Sequence, residues 1–126
     1  MEQSKADALK QWIKDTLGDG VKDVLTKGRL VDSPAAVLNA DSLTPQMRAM
    51  LKAMNPDSPM PKPVVDFEIN TKNPVIKNLE KLKETKPELA KLVLEQIFDN
   101  AMLGAGLLED TTQMSKRLNE IFAKIF

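Results

Sequence analysis

Cysteine, histidine and tyrosine are all missing from this sequence. Without cysteine there is no disulfide, no thiolate zinc site and no thiol nucleophile. Without histidine the commonest neutral-pH base and metal ligand is gone, and with it any Ser-His-Asp or Cys-His arrangement. Carboxylates and lysines are what remain for acid–base work. Aromatics are scarce: one Trp and four Phe offer few platforms for stacking bases. Neither sign of charge is in excess, with 18 basic and 18 acidic residues. Lysines and carboxylates alternate, as in NLEKLKETKPELAKL, which reads as a solvated helix face rather than a phosphate-binding patch. A nucleic-acid partner is therefore not expected. No run reaches the ~18 apolar residues of a membrane span, so no membrane partner is expected either. The start, MEQSKADALKQW, lacks the cationic-then-apolar layout of a secretory signal.

What the chain does have is helical periodicity and a few firm breaks. At 126 residues it fits one domain, 1–126, long enough to fold without staples. Leu9, Trp12, Ile13, Thr16 and Leu17 define one face of a helix over 4–17, with Ser4 as its cap and Gly18 and Gly20 as its stop. Residues 21–30 read as a strand, and AAVLNA, 35–40, as its return partner across an Asp32-Ser33-Pro34 turn, together a β-hairpin. Asp41-Ser42 caps a second helix, with Pro45 in its first turn. Leu43, Met47, Met50, Leu51 and Met54 form its apolar stripe. Four prolines within 55–63 then forbid helix or central strand. Val64, Val65, Phe67 and Ile69 make a third strand. Asp66 and Glu68 alternate with them, as the wet side of a half-buried strand would.

The C-terminal part is helical. Asn73-Pro74 opens a helix with Val75, Ile76, Leu79 and Leu82 on its apolar face, ending at Lys86-Pro87. A fourth helix runs from 87 or 88 to about 103, stopped by Gly104 and Gly106. Asp110 and Gln113 have the capping-box spacing for a fifth, whose stripe is Met114, Leu118, Ile121, Phe122 and Ile125. The expected fold is α+β: a small three-stranded sheet with helices over 1–86, then a helical segment over 87–126.

The fourth helix carries two stripes. Leu89, Leu92, Val93, Ile97 and Ala101 form one; Leu94, Phe98 and Met102 form another. A helix apolar on two faces must be covered on two sides, which points to assembly rather than catalysis. The Met stripe on 43–54 has two readings: a core face, or an exposed surface that suits adaptable binding. Nothing else reads as a reaction centre. Gly104-Ala105-Gly106 follows no strand and lacks a third glycine, so it reads as a helix stop rather than a dinucleotide loop. Asp15, Asp19 and Asp23 flank a Gly turn but lack the ligand density of a calcium site. No catalytic, cofactor-binding or metal residue is assigned.

Taken in order, LGDGVKDVLTKGRLVDSPAAVL, QMRAMLKAM, FEINTKNPVIKNL and DNAMLGAGLLEDTTQMSKRLNEIF resemble the C-terminal domain of the heat-shock protein 90 chaperones. The bacterial member of that family is high-temperature protein G. The resemblance covers nearly the whole chain, and its last block is similar to the mitochondrial paralogue and to bacterial members like it. Thr71 and Asn73 depart from the family's E-[IL]-N-P-x-H-P form. No closing Met-Glu-Glu-Val-Asp appears, so docking to helical-repeat co-chaperones is not expected.

The resemblance implies a homodimer in which the last two helices of each protomer form an intermolecular four-helix bundle. The implied interface residues are Leu94, Ile97, Phe98, Ala101, Met102, Leu118, Ile121, Phe122 and Ile125. Leu94, Phe98, Met102 and the Ile121–Ile125 end are the surplus expected to lose exposure on pairing. Leu43, Met47, Met50, Leu51 and Met54 are the implied contact for unfolded client proteins. The family's ATPase, with its ATP and Mg, is implied to lie in an N-terminal domain, so this domain holds no cofactor and is not itself an enzyme. The setting is bacterial cytoplasm, with the mitochondrial matrix as the alternative. The competing reading is a small ligand-binding or enzymatic α+β domain unrelated to chaperones.

Overall fold

The computed structural model describes residues 1–39, 45–57, 64–108 and 111–126, with backbone alone at Pro45 and Arg48. Among the described residues the chain is α+β, with one three-stranded sheet and five α-helices. The first helix, α1 (Gln3–Leu17), buries Ala6, Leu9 and Ile13 at the expected spacing. It starts one residue earlier than the sequence suggests, so Ser4 falls inside the first turn and Glu2 occupies the N-cap without a side-chain bond. Gly18 ends the helix at φ 67, a left-handed conformation that glycine adopts without a Cβ penalty.

The sheet departs from the expected hairpin. Its strands are β1 (Val21–Leu25), β2 (Ala35–Leu38) and β3 (Val65–Ile69), in the order β1-β3-β2. β1 pairs parallel with β3, and β2 pairs antiparallel with it, from Ala35 opposite Ile69 to Leu38 opposite Asp66. β1 and β2 are thus neighbours in sequence and not in space. The central place goes to the most buried strand: Val65, Phe67, Glu68 and Ile69 are all buried. Val24 and Val37 stand opposite Phe67 and continue the same core face.

Residues 26–34 must therefore arch over the C-terminal end of β3 to join its two neighbours. Asn70, directly after β3 and itself buried, props the arch. Its amide donates to the carbonyls of Ser33 (3.3 Å) and, more weakly, Val31 (3.5 Å), and its backbone N–H donates to Pro34 (2.8 Å). Asn73 adds a bond from its amide to the Asp32 carbonyl at 3.0 Å. Backbone groups that a tight hairpin would pair are satisfied here by two asparagines.

The central position also corrects the reading of Glu68. This side chain is 1% exposed, not on a wet face. Strands flank it on both sides, and Arg29 from the arch lies 3.7 Å from its Oε1. That oxygen accepts no hydrogen bond among the described residues. Asp66 keeps more solvent and accepts from the Asn39 amide at 2.8 Å.

Asn73 caps α3 (Pro74–Thr85) as expected, its Oδ1 accepting from Val75 N–H at 2.8 Å with Pro74 in the first turn. After Lys86 comes α4 (Pro87–Gly104), the hub of the molecule. It packs against α1, α3, β2 and α5 (Thr112–Ile125). Its termination is one residue later than expected. Gly104 is still helical, and the reversal falls on Gly106, at φ 74. Leu107 N–H then bonds to Met102 O at 2.9 Å and Gly106 N–H to Leu103 O at 3.0 Å, the paired bonds of a Schellman stop. The N-cap of α5 is Thr111 rather than Asp110, which lies outside the described residues, and Thr111 makes no side-chain cap bond.

One core joins these elements: Leu9 and Ile13 from α1, Val21, Val24, Phe67 and Ile69 from the sheet, Ile76 and Leu79 from α3, and Ala90, Leu94 and Ile97 from α4. The Phe98 ring meets Phe67 edge-on, with centroids 5.2 Å apart at 85°. Such edge-to-face pairs add about 1 kcal/mol beyond their buried area.

Candidate protein-interaction surfaces

The two apolar stripes of α4 are covered mainly by its own chain. Leu94 has no accessible surface, because the sheet, α1 and α3 converge on it, so it cannot lose exposure to a partner. Ile97, Met102 and Ile121 are also buried within the protomer, and Phe98 and Ala101 are partly so. Leu94 and Met102 therefore carry no surplus, while Phe98 keeps part of its surface: α4 is central, and its second face is met by α5 and the sheet. Apolar surface remains instead on α5 and its end. Leu118, Phe122, Ile125 and Phe126 are exposed, as is Leu103 near the turn.

That surface follows from the way α5 lies on α4. Met114 and Ile121 point inward and are buried. Leu118, Phe122 and Ile125 recur at i, i+4, i+7 and form a second, outward line on the same helix. Polar contacts accompany the antiparallel pairing. Arg117 Nη1 donates to Asp99 Oδ2 at 2.8 Å and to Gln96 Oε1 at 3.3 Å, in a partly buried setting. Toward the other end, Lys124 Nζ stands 3.7 Å from Glu88 Oε2. The Phe122 and Phe126 rings tilt against each other with centroids 6.3 Å apart.

The second surface is α2 (Pro45–Met54). Met47, Met50 and Met54 are 48%, 64% and 75% exposed, and Leu51 is exposed beside them. The stripe is therefore a surface and not a core face. Leu43, the remaining residue assigned to it, lies outside the described residues.

The amides of Ala105, Gly106 and Leu107 all bond to carbonyls of α4, so the Gly104-Ala105-Gly106 segment does not offer the free N–H groups that would cradle a nucleotide phosphate. An open groove of about 690 Å³ between α1 and α3 is lined by Lys5, Lys81, Lys83, Glu80 and Glu84, side chains of both signs. In it the Lys83 ammonium, hydrogen-bonded to Glu84 at 2.5 Å, holds the Glu84 carboxyl below its ordinary value of 4.5. Among the described residues, no group of three or more acidic side chains is placed to hold a metal ion, and no helix is long and apolar enough to cross a membrane.

The sequence pattern joins Met114 and Ile121 to Leu118, Phe122 and Ile125 in one stripe, and the structure separates them; Leu103 and Phe126, also exposed, belong to no stripe.

Comparison with known proteins places these surfaces in context. Residues 1–126 match the family described as Hsp90 protein. The chaperone protein HtpG of Psychrobacter arcticus is 43% identical over 114 residues, covering 89% of this chain and 17% of that protein. The mitochondrial TNF receptor-associated protein 1 homolog of Dictyostelium discoideum is 34% identical over 123 residues, 96% of this chain and 17% of its own length. The mitochondrial heat shock protein 75 kDa of Rattus norvegicus is 33% identical over 128 residues, 98% of this chain and 18% of its own length. The chain thus spans 17–18% of the length of these relatives. A match over every residue leaves no room for the competing reading of a domain unrelated to chaperones. The chain belongs to the Hsp90 family.

Proposed function

We propose that this chain is the C-terminal dimerisation and client-contact domain of an ATP-dependent chaperone. The observation that carries the reading is α5: with Met114 and Ile121 already buried on α4, it still presents Leu118, Phe122 and Ile125 in one line. A second copy of the same face covers that line by two-fold symmetry, since an isologous contact needs only one self-complementary patch. The four-helix bundle then forms from α4 and α5 of two protomers, with α5 contributing most of the new contact. The exposed Met47, Met50, Leu51 and Met54 stripe supplies an adaptable apolar surface for unfolded chains.

ATP and magnesium belong, on this reading, to an N-terminal domain of a longer protein. Permanent pairing here raises the effective concentration of two such domains for one another. The relatives include bacterial and mitochondrial proteins, and the reading suits the bacterial cytoplasm or the mitochondrial matrix.

Light scattering at micromolar concentration tests the pairing. The expected mass is about 28 kDa, twice the 14.0 kDa of the chain. A mass equal to one chain at these concentrations refutes it. The contact surface is tested by replacing Met47, Met50 and Met54 with Ser and measuring binding to a permanently unfolded, reduced and carboxymethylated polypeptide. Binding weakens while the melting temperature holds, because these side chains stand outside the core. An unchanged affinity refutes the contact reading.

A further inference from the structure

We propose that Met47, Met50 and Met54 form a peroxide-sensitive modification site, and that their oxidation to sulfoxides turns the α2 contact surface off. The regulatory half of this proposal rests on the reading of α2 as a contact for unfolded chains.

The chain has no cysteine, so no thiol consumes peroxide first, and thioethers are its most readily oxidised side chains. Among the methionines of α2, α4 and α5 the structure distinguishes two groups. Met50 and Met54 are well exposed on α2, and Met47 is half exposed beside them. Met102 and Met114 are buried between α4 and α5. A small polar oxidant reaches the first group and not the second. In the reaction, the thioether sulfur attacks one oxygen of hydrogen peroxide and the O–O bond breaks. Sulfur gains that oxygen and is oxidised by two electrons, while the other oxygen leaves as water. The reverse step needs a thiol reductant, which gives up two electrons as it becomes a disulfide, and releases the oxygen as water through a methionine sulfoxide reductase.

Placement decides the consequence. Met47, Met50 and Met54 recur at i, i+3 and i+7, so three sulfoxides lie along one helical face. Each replaces a flexible apolar group with a strong hydrogen-bond acceptor that an apolar partner segment cannot satisfy. None of the three belongs to the buried core, so the fold tolerates the change. Oxidation of Met102 or Met114 would instead push a polar S=O group between α4 and α5. The exposed methionines thus form a switchable surface on a protein whose structural methionines are shielded.

The test treats the chain with dilute hydrogen peroxide, maps oxygen uptake by peptide mass, and follows binding of the same carboxymethylated polypeptide. Peptides carrying Met50 and Met54 gain about 16 Da per sulfoxide well before those carrying Met102 and Met114. Affinity falls by about tenfold or more, the equivalent of losing one buried apolar side chain, with no change in melting temperature. A thiol-driven sulfoxide reductase restores it. Peroxide leaves the affinity of the Met47→Leu, Met50→Leu, Met54→Leu triple variant where it stood before treatment. Equal oxidation of Met102 and Met54 overturns the modification site. Unimpaired binding by the oxidised chain, where the triple Ser variant binds poorly, overturns the switch and leaves the contact reading standing. Unimpaired binding by the triple Ser variant itself overturns the contact reading and the switch with it.

Discussion

Phe122 and Leu94 were expected to act together in a dimer interface, and the structure separates them. Leu94 is completely covered by its own chain, whereas Phe122 is 46% exposed. A fully buried aromatic side chain removes about 200 Å² from water, so roughly 90 Å² of Phe122 remains to be covered by a partner. At about 25 cal/mol per Å², that surface contributes about 2 kcal/mol per protomer. Two-fold symmetry uses it twice, giving about 4 kcal/mol and roughly a thousandfold in the dissociation constant. Phe122→Ala should therefore weaken association by about that factor, with a smaller loss of protomer stability from the half that packs on the α4–α5 hairpin. Leu94→Ala should do the opposite. It empties a core site at a cost of about 2–5 kcal/mol in folding, and leaves association intact wherever the chain stays folded. Sedimentation equilibrium across a concentration series, paired with thermal denaturation of each variant, reads both quantities. An unchanged dissociation constant for Phe122→Ala would refute the assignment of the α5 face. A folded Leu94→Ala chain that dissociates more readily than Phe122→Ala would place the contact on α4 instead.

Two further outcomes follow from polar contacts. Asn70→Asp replaces the amide that faces the Ser33 and Val31 carbonyls with a carboxylate, which repels them. Urea denaturation should show a loss of about 1–3 kcal/mol, whereas a change within error would mean the arch does not depend on this side chain. The Glu84 carboxyl is held down in the folded chain by the hydrogen bond and charge of Lys83. Its contribution to stability is therefore present above pH 4.5 and is lost as pH falls through the lower folded value. An NMR titration should place the Glu84 midpoint below 4.5, and Lys83→Met should raise it; a midpoint unmoved by that substitution rejects the pairing as the cause.

Local features were legible in the sequence because they are set by neighbouring residues. The Asn73-Pro74 helix start needs only the side chain at 73 and the amide at 75. The Leu9–Ile13 and Ile76–Leu79 faces need only a 3.6-residue period. Strand order was not legible, because β3 inserts between β1 and β2 from forty residues further along, and nothing near residue 30 signals its arrival. The same insertion hides Glu68: alternation marks it as outward without revealing that the outward side of a central strand is covered. The α4 stripes showed correctly that the helix needs cover on two sides. Periodicity does not distinguish a partner chain from the chain's own α1, α3 and α5. For α2 the period gave a stripe of methionines, and only the folded chain shows that it faces solvent.

The antiparallel pairing of Leu38 with Asp66 has an evolutionary consequence. The segment that carries α2 departs from one strand and returns on its immediate neighbour, so its two ends are fixed by the sheet whatever lies between them. Lengthening such an excursion is thermodynamically inexpensive: each doubling costs only about 0.6 kcal/mol of closure entropy. Selection can therefore lengthen, shorten or re-face α2 while Phe67 and its neighbours keep their packing. The sheet acts as a fixed chassis, and the methionine helix as an attachment free to diverge.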